Sequence, residues 1–238
     1  MAKERLDKLI ASTGRWSRRE VKTLVREGRV LVDGRIAGSA EEKYDAESCR
    51  IAVNGEELLL RRHTYVMLHK PAGVLSATED GRGRTVLDLL TPELRKIGVF
   101  PVGRLDKDTE GLLLLTDDGE LAHALLSPKK HVDKVYYARV SGRLMPEDCA
   151  AFEAGMTLGD GLECLPAGLE ILAAGETSEC LVTLREGKFH QVKRMLAARG
   201  KPVEYLKRLS MGSLRLDDTL APGEFRLLTA AEEAQLQR

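Results

Sequence analysis

Apolar residues near the start of the chain recur at helical spacing. Within residues 6–10 they stand at i, i+3 and i+4, which predicts a short amphipathic helix that ends at Gly14. A second helix follows, with its apolar stripe inside residues 21–25. Ser17 and Glu20 are spaced as a capping box at its start. The first thirty residues therefore predict two short helices in succession.

The pattern then changes to a period of two in "RVLVDGRIA". Val30 and Val32 alternate with other residues, and Asp33-Gly34 is a dipeptide typical of a tight hairpin turn. The N-terminal module is therefore predicted to be helix, helix and hairpin.

The remainder of the chain mixes strand-like and helix-like patterns. Continuous or alternating apolar runs predict strands at "YVMLHK", "GLLLLT", "KVYYARVSG" and "CLVTLREG". Helices are predicted at "TVLDLL", "ELAHALLS" and "FHQVKRMLAARG", and a last one begins at Thr229 with Glu232 completing a capping box. This order predicts an α+β fold. We place a first domain at 1–58, a linker at 59–64 and a larger domain at 65–238.

Charge is distributed unevenly along a chain whose net charge is zero. Residues 1–40 hold ten Lys and Arg against five Asp and Glu, a net of +5, so the remainder carries −5. A cluster of cations follows helical spacing and predicts phosphate contact, although a solvated helix face would give the same pattern. Its members are Arg15, Arg18, Arg19, Lys22, Arg26 and Arg29.

Several protein classes are disfavoured by composition. No run of about 18 apolar residues occurs, and the start "MAKERLDKLI" has no apolar core of a signal peptide. The four cysteines form no Cys-x-x-Cys pair, which disfavours a zinc or disulfide framework. We therefore expect a cytoplasmic protein without a membrane partner.

The stretch "GRLDKDTEGLLLLTDDG" carries the candidate chemistry. Asp106, Asp108, Glu110 and Asp117 fit positions 1, 3, 5 and 12 of a calcium loop, but position 9 is Leu114 inside an apolar run. We therefore reject calcium and read a turn before a core strand, which would hold Asp106 rigidly at a cleft edge. Asp is also common in turns, so a structural role fits the residues equally well.

Two resemblances extend this interpretation. The segment "RLDKLIASTGRWSRREVKTLVREGRVLVDGRIA" resembles the S4 RNA-binding module. "GRLDKDTEGLLLLTDDGELAH" resembles the signature of pseudouridine synthases that modify ribosomal RNA, and "YVMLHKPAGVLSA", "KVYYARVSG", "EGKFHQVKRMLAARG" and "LAPGEFRLLT" match the same branch in order. The resemblance implies an S4 domain followed by a catalytic domain with a mixed, mainly antiparallel sheet. "HQVKRM" and "LAPGE" indicate the small-subunit type.

The resemblance also implies roles for particular residues. Asp106 is the expected essential carboxylate, with Lys193 as its cationic partner and Arg194 as the second choice. Tyr136 is expected to stack on the target uracil, and Arg104 to help open the RNA. Further RNA contacts are expected from the late motif, at Lys188, His190, Gln191 and Arg194, in addition to the N-terminal cations.

The implied reaction is the isomerisation of one uridine, at position 516 of 16S ribosomal RNA. It adds and removes no group, so neither a cofactor nor a metal is expected. The expected partner is ribosomal RNA or a small-subunit assembly intermediate, bound by a monomer. Two alternatives stay open, namely a synthase of 23S ribosomal RNA and a non-catalytic S4 assembly factor.

Overall fold

The computed structural model describes residues 3–46, 48–127 and 130–236. The chain forms two compact units. The first comprises Met1–Thr64 with Leu90–Val99, and the second comprises Tyr65–Leu89 with Phe100–Arg238. The predicted limits of 1–58, 59–64 and 65–238 stay a prediction. The two compact units differ from them at residues 90–99, which belong to the first unit.

The described residues of the first unit form three short helices and two small sheets. Its helices are α1 (Leu6–Ala11), α2 (Arg18–Arg26) and α3 (Pro92–Ile97). Its strands are β1 (Glu4–Arg5), β2 (Val30–Val32), β3 (Arg35–Ile36), β4 (Lys43–Tyr44), β5 (Ile51–Val53) and β6 (Glu56–Glu57). β1 pairs with β4, and the other four form a sheet in the order β3-β2-β5-β6.

The predicted signals at α2 and the hairpin are confirmed. The hydroxyl of Ser17 accepts from the amide of Glu20, whose carboxylate accepts from the amide of Ser17 at 2.6 Å. Asp33 and Gly34 both adopt positive φ, 49° and 78°, as a tight hairpin turn requires. The unit encloses its own apolar core, built from α1, α2 and the strands β2 and β5.

The end of α1 differs from the prediction. The helix stops at Ala11, three residues before Gly14, because the hydroxyls of Ser12 and Thr13 bond back to carbonyls of the last turn. Gly14 has a φ of 72°, and a Cβ there would lie 2.2 Å from the carbonyl oxygen of Glu93. This close approach brings α3 into the first unit.

The second unit is built on a nine-stranded sheet in the order β13-β14-β10-β15-β9-β7-β17, with β16 on β15 and β8 on β9. Its strands are β7 (Tyr65–Lys70), β8 (Phe100–Pro101), β9 (Glu110–Thr116), β10 (Lys134–Ser141), β13 (Gly168–Ala173), β14 (Thr177–Leu184), β15 (Val203–Met211), β16 (Leu214–Arg215) and β17 (Phe225–Leu227). β11 (Met156–Thr157) and β12 (Glu163–Cys164) form a separate hairpin. Within the sheet, β9 and β15 pair in parallel and the other pairs are antiparallel. The expected α+β fold with a mainly antiparallel sheet is confirmed.

Helices of the second unit are α4 (Gly119–Leu126), α5 (Pro146–Ala154), α6 (Gln191–Ala198) and α7 (Ala230–Leu236). The capping box predicted for the last helix is confirmed, since the Glu232 carboxylate accepts from the amide of Thr229 at 2.8 Å. "TVLDLL" forms a 3-10 turn at Val86–Leu89 where an α-helix was expected. No helix in the described ranges is long and apolar enough to cross a membrane.

The core of the second unit lies on β7 and β9. Every residue of Tyr65–Lys70 is buried, and the run 112–115 has no exposed surface. A strand buried on both faces needs apolar residues at consecutive positions, which is why the alternation expected of a half-buried strand is missing here. The buried β9 fixes the turn that precedes it.

Candidate active site

Asp106 lies on the turn between β8 and β9. Gly103, with a φ of 77°, begins the turn, and the amide of Thr109 donates to the carbonyl of Asp106 at 3.1 Å. The carboxylate is 23% exposed, so it is reachable from solvent at the edge of the sheet. The rigid, accessible position expected for this carboxylate is therefore present.

A buried ammonium group holds the backbone of this turn. Lys70, at the end of β7, has no exposed surface, and its Nζ donates to the carbonyls of Pro71, Asp106, Lys107 and Thr109 at 2.9–3.2 Å. Burial lowers the pKa of Lys70 to about 8. Sequence reasoning missed this anchor, although a lysine at the end of a largely apolar strand was its visible signal.

Two further contacts fix the turn from the segment after β7. The hydroxyl of Ser76 donates to the carbonyl of Leu105 at 2.9 Å and accepts from its amide at 3.0 Å. The amide of Gly73 donates to the carbonyl of Lys107 at 2.7 Å. The backbone on both sides of Asp106 is thus bonded to neighbouring chain.

The carboxylate of Asp106 faces two basic side chains of the α6 region. The Nζ of Lys193 lies 3.2 Å from Oδ2, and the Nε2 of His190 lies 3.6 Å from Oδ1. The hydroxyl of Thr109 is 3.5 Å from Oδ2. Lys193 also bonds Asp108 at 2.5 Å, and this hydrogen bond lowers the pKa of Asp108. One lysine therefore bridges two carboxylates of the same turn.

The neighbouring cation has a different partner. Arg194 forms an ion pair with Asp160, on the turn between β11 and β12. Of the two residues considered for the pair with Asp106, Lys193 makes the contact because successive residues of a helix point in different directions.

Tyr136 lies on the floor of the same cleft. The cleft is lined by Asp106, Arg104, Tyr136, Leu206 and residues of the loop before α6. Tyr136 is 8% exposed, whereas Arg104 is exposed at the rim. Tyr137 points to the other side of β10 and packs edge-on against Tyr205, with ring centroids 6.1 Å apart. The structure thus brings Asp106, Lys193, Tyr136 and Arg104 into one site.

Gln191 is not positioned as an RNA contact. It is 3% exposed; its Nε2 donates to Glu186 at 2.6 Å, and its Oε1 accepts from the amide of Lys188 at 3.0 Å. The Nζ of Lys188 itself bonds to Glu186 and to the carbonyl of Glu163. Gln191 therefore shapes the loop before α6 from inside, contrary to the contact expected from sequence.

The N-terminal cations are more fully paired than their sequence neighbours suggest. Arg15 forms two bonds with Glu56, at 2.6 and 2.8 Å, and stacks over Trp16. Arg18 bonds the buried Asp7.

Lys22 pairs with Glu41 at 3.2 Å. Among the described residues, the bonds of Arg26 stay within its own helix, to the hydroxyl of Thr23 and the carbonyl of Lys22. Arg19 and Arg26, both exposed on α2, are therefore the cations best placed for phosphate contact.

The calcium interpretation is excluded by the side chains themselves. Glu110 accepts a hydrogen bond from the hydroxyl of Tyr205 at 2.8 Å, and Leu114 is fully buried in the sheet. Within the described part of the chain, His, Cys, Asp and Glu form no group of three or more that could hold a metal ion.

Family models match most of the chain. The model described as RNA pseudouridylate synthase matches residues 64–198, and the one described as S4 domain matches residues 4–48. These two matches follow the order of the resemblances in the sequence.

Individual proteins match over nearly the full length. An uncharacterized RNA pseudouridine synthase of Bacillus subtilis is 50% identical, covering 96% of each chain. Ribosomal small subunit pseudouridine synthase A of Vibrio cholerae is 40% identical, covering 98% of this chain and 99% of that protein. Ribosomal large subunit pseudouridine synthase B of Bacillus subtilis is 39% identical, covering 98% and 96%. A crystal structure of a pseudouridylate synthase superposes with a TM-score of 0.68 at 35% identity, covering 98% and 99%.

Proposed function

Because the chain belongs to the RNA pseudouridylate synthase family, and is therefore an isomerase, we propose that it converts uridine 516 of 16S ribosomal RNA to pseudouridine. Asp106 is the essential carboxylate of this proposal, and Lys193, Tyr136 and Arg104 support it. The ion pair of Lys193 with Asp106, which lines the same cleft as Tyr136, is the observation that carries the assignment.

The reaction needs no co-reactant. The N1–C1′ bond of the uridine breaks, the uracil turns within the site, and a C5–C1′ bond forms. The hydrogen lost from C5 is balanced by the one gained at N1, so atoms and electrons are conserved. The chemistry therefore reduces to activating the sugar carbon, holding the free base and moving one proton.

Asp106 has the geometry for the activating step. Its carboxylate could attack the sugar as a nucleophile, or remove a sugar proton as a base. Both roles require a carboxylate held in one place, and Lys193 and Thr109 fix Oδ2 while the backbone anchors of Lys70 fix the turn. Oδ1 is the oxygen directed towards His190.

Tyr136 and Arg104 suit a base that has left its helix. An aromatic ring on the floor of the cleft can stack on the uracil, replacing stacking lost on flipping, an effect of ~1–3 kcal/mol per base. Arg104, exposed at the rim, is placed to occupy the space that the flipped nucleotide leaves.

The small-subunit target is supported by two short motifs. "HQVKRM" forms the start of α6, and "LAPGE" precedes β17. A relative named for the large subunit is 39% identical, against 40% for the relative named for the small subunit, so 23S ribosomal RNA is the second candidate.

Mapping of modified uridines tests both candidates. Unmodified 16S and 23S RNAs, as naked transcripts and within assembly intermediates, would be incubated with the protein. We expect one new pseudouridine in 16S RNA, at uridine 516. A modified site in 23S RNA alone would overturn the small-subunit target and leave the isomerase intact.

Substitution of the carboxylate tests the assignment of Asp106. Asp106→Asn is expected to abolish isomerisation while RNA binding persists, because the amide lacks the charge that either role requires. Asp108→Asn is the matched control, since Asp108 bonds the same lysine but its side chain is 75% exposed. Turnover by Asp106→Asn at the wild-type rate would contradict the assignment.

A further inference from the structure

The loop before α6 is a rigid rim of the cleft. Its base is the buried Glu186, which accepts from the amide of Leu165 at 2.9 Å and from Gln191 at 2.6 Å. Gln191 in turn accepts from the amide of Lys188. Both polar side chains are buried and satisfied, so the loop is held from below by bonds shielded from water.

This rigid loop presents an aromatic ring to solvent. Phe189 is 75% exposed, the largest exposed fraction among the large apolar residues of the described chain. Its ring stacks on His190 with centroids 3.8 Å apart and planes inclined by 18°. His190 has a φ of 52°, a conformation that residues other than glycine seldom adopt. A large aromatic ring exposed next to a residue that lines the cleft is a candidate contact surface for a ligand.

The stack leads directly to the candidate catalytic group. The inner ring, His190, lies 3.6 Å from Oδ1 of Asp106 and lines the cleft, while the ring of Phe189 continues the stack outwards. The ring spacing of 3.8 Å is close to the ~3.4 Å rise between bases of one strand. The two rings are thus stacked at van der Waals contact, as successive bases of a strand are.

We propose that the Phe189–His190 stack is a platform for the RNA base next to the uridine that enters the cleft. The proposal rests on the proposed function and adds a second stacking surface to that of Tyr136. Flipping a nucleotide deprives its neighbour of a stacking partner, and the outer face of Phe189 would replace that partner. Because every base offers a π face, the platform accepts any base and contributes binding without sequence preference.

An RNA base fits this surface better than a protein partner does. Phe189 is a single exposed ring stacked on His190, which lines the cleft, and the cationic side chains of Arg104 and Lys193 line or face that cleft. A protein interface requires a broad patch, whereas one ring is sufficient for one base.

Substitution of the outer ring tests the platform. Phe189→Ala is expected to weaken binding of 16S RNA and raise KM about tenfold, with kcat changed much less, because a stacking contact is removed while Asp106 and Lys193 stay in place. Phe189→Tyr and Phe189→Trp keep an aromatic face and should restore affinity. Leu172→Ala is the matched control, since Leu172 is an exposed apolar residue of β13 outside the cleft.

A fluorescent base reports the contact directly. RNA hairpins would carry 2-aminopurine immediately 5′ or 3′ of the target uridine, and stacking on Phe189 should quench one of them with wild type but not with Phe189→Ala. Equal RNA affinity, KM and quenching for wild type and Phe189→Ala would overturn the platform.

Filter binding to whole 16S RNA needs no turnover and no known target. If the wild-type protein modified no uridine, the proposed function would fail, and the affinities of the Phe189 variants would still decide the platform. Loss of affinity in Phe189→Ala that Phe189→Trp does not restore would also count against it.

Discussion

Lys193 and Arg194 are adjacent on α6 and have similar charge but different surroundings. Lys193 bridges Asp106 and Asp108, whereas Arg194 pairs with Asp160 on another turn. Only one of the two can therefore position the candidate catalytic carboxylate. Replacing either residue by methionine removes one positive charge, so the two variants can be compared at equal net charge.

Lys193→Met is expected to lower kcat about 100-fold, because a carboxylate displaced by about 1 Å loses the alignment that the reaction needs. Arg194→Met should change kcat by less than about threefold, since its pair lies on an exposed turn and such pairs contribute little. Single-turnover kinetics on 16S RNA would measure both. Equal loss of kcat in the two variants would show that Lys193 has no special relation to Asp106.

At the scale of elements, the parallel pairing of β9 with β15 determines where the Asp106 turn can lie. These strands pair in parallel at Gly111 and Arg208. A Cβ on Gly111 would lie 2.3 Å from the carbonyl oxygen of Arg208, and its φ of 106° is itself unfavourable for other residues. The strand that follows the turn therefore depends on a glycine at its second position.

Gly111→Ala is expected to lower the free energy of unfolding by more than about 3 kcal/mol, because backbone atoms cannot move away as a flexible side chain would. Gly119→Ala is the control: it lies in α4 with no atom within 4 Å of the added Cβ, and alanine there should be neutral or stabilising by up to ~1 kcal/mol. Urea unfolding followed by circular dichroism would measure both. A stable, fully active Gly111→Ala protein would contradict this account of the close approach between β9 and β15.

At the scale of the whole molecule, ion pairs neutralise several cations whose acidic partners are far away in the sequence. The N-terminal cations meet acids that are distant in sequence, such as Glu56 at Arg15 and Glu41 at Lys22. The number of N-terminal cations in the sequence is therefore larger than the number of unpaired cations that could contact phosphates. Arg19 and Arg26 have no acidic partner within ion-pair distance among the described residues, and they carry the prediction for RNA affinity.

The double variant Arg19→Gln, Arg26→Gln is expected to bind RNA more weakly, with a log K against log salt slope shallower by roughly 1.5, because two phosphate contacts release fewer counterions. Lys201→Gln with Arg215→Gln removes the same charge from the second unit and should leave the slope near that of wild type. Filter binding between about 50 and 300 mM salt would measure both slopes. Unchanged slopes in both variants would show that α2 does not contact phosphates.

The elements that could be predicted from the sequence are those that a local pattern of residues specifies by itself. The capping box of Ser17 and Glu20, the Asp33-Gly34 hairpin and the buried strand "GLLLLT" each follow from local chemistry, and each was confirmed. Strands β13 and β15 were not predicted, because their alternation is interrupted and their stability comes from pairing with β14 and β10. Helix α5 was not predicted either. Motifs in the sequence also indicated Asp106, Tyr136 and Lys193 as a set.

Sequence alone determined the family, the order of the two domains and the residue types of the site, because these are carried by local patterns and motifs. Tertiary structure decided which of Lys193 and Arg194 meets Asp106, that Lys70 anchors the turn from inside, and that Gln191 is buried. It also decided which N-terminal cations are neutralised. The physical reason is that these outcomes depend on distances between groups far apart along the chain, and such distances are set only when the strands have paired and the core has packed.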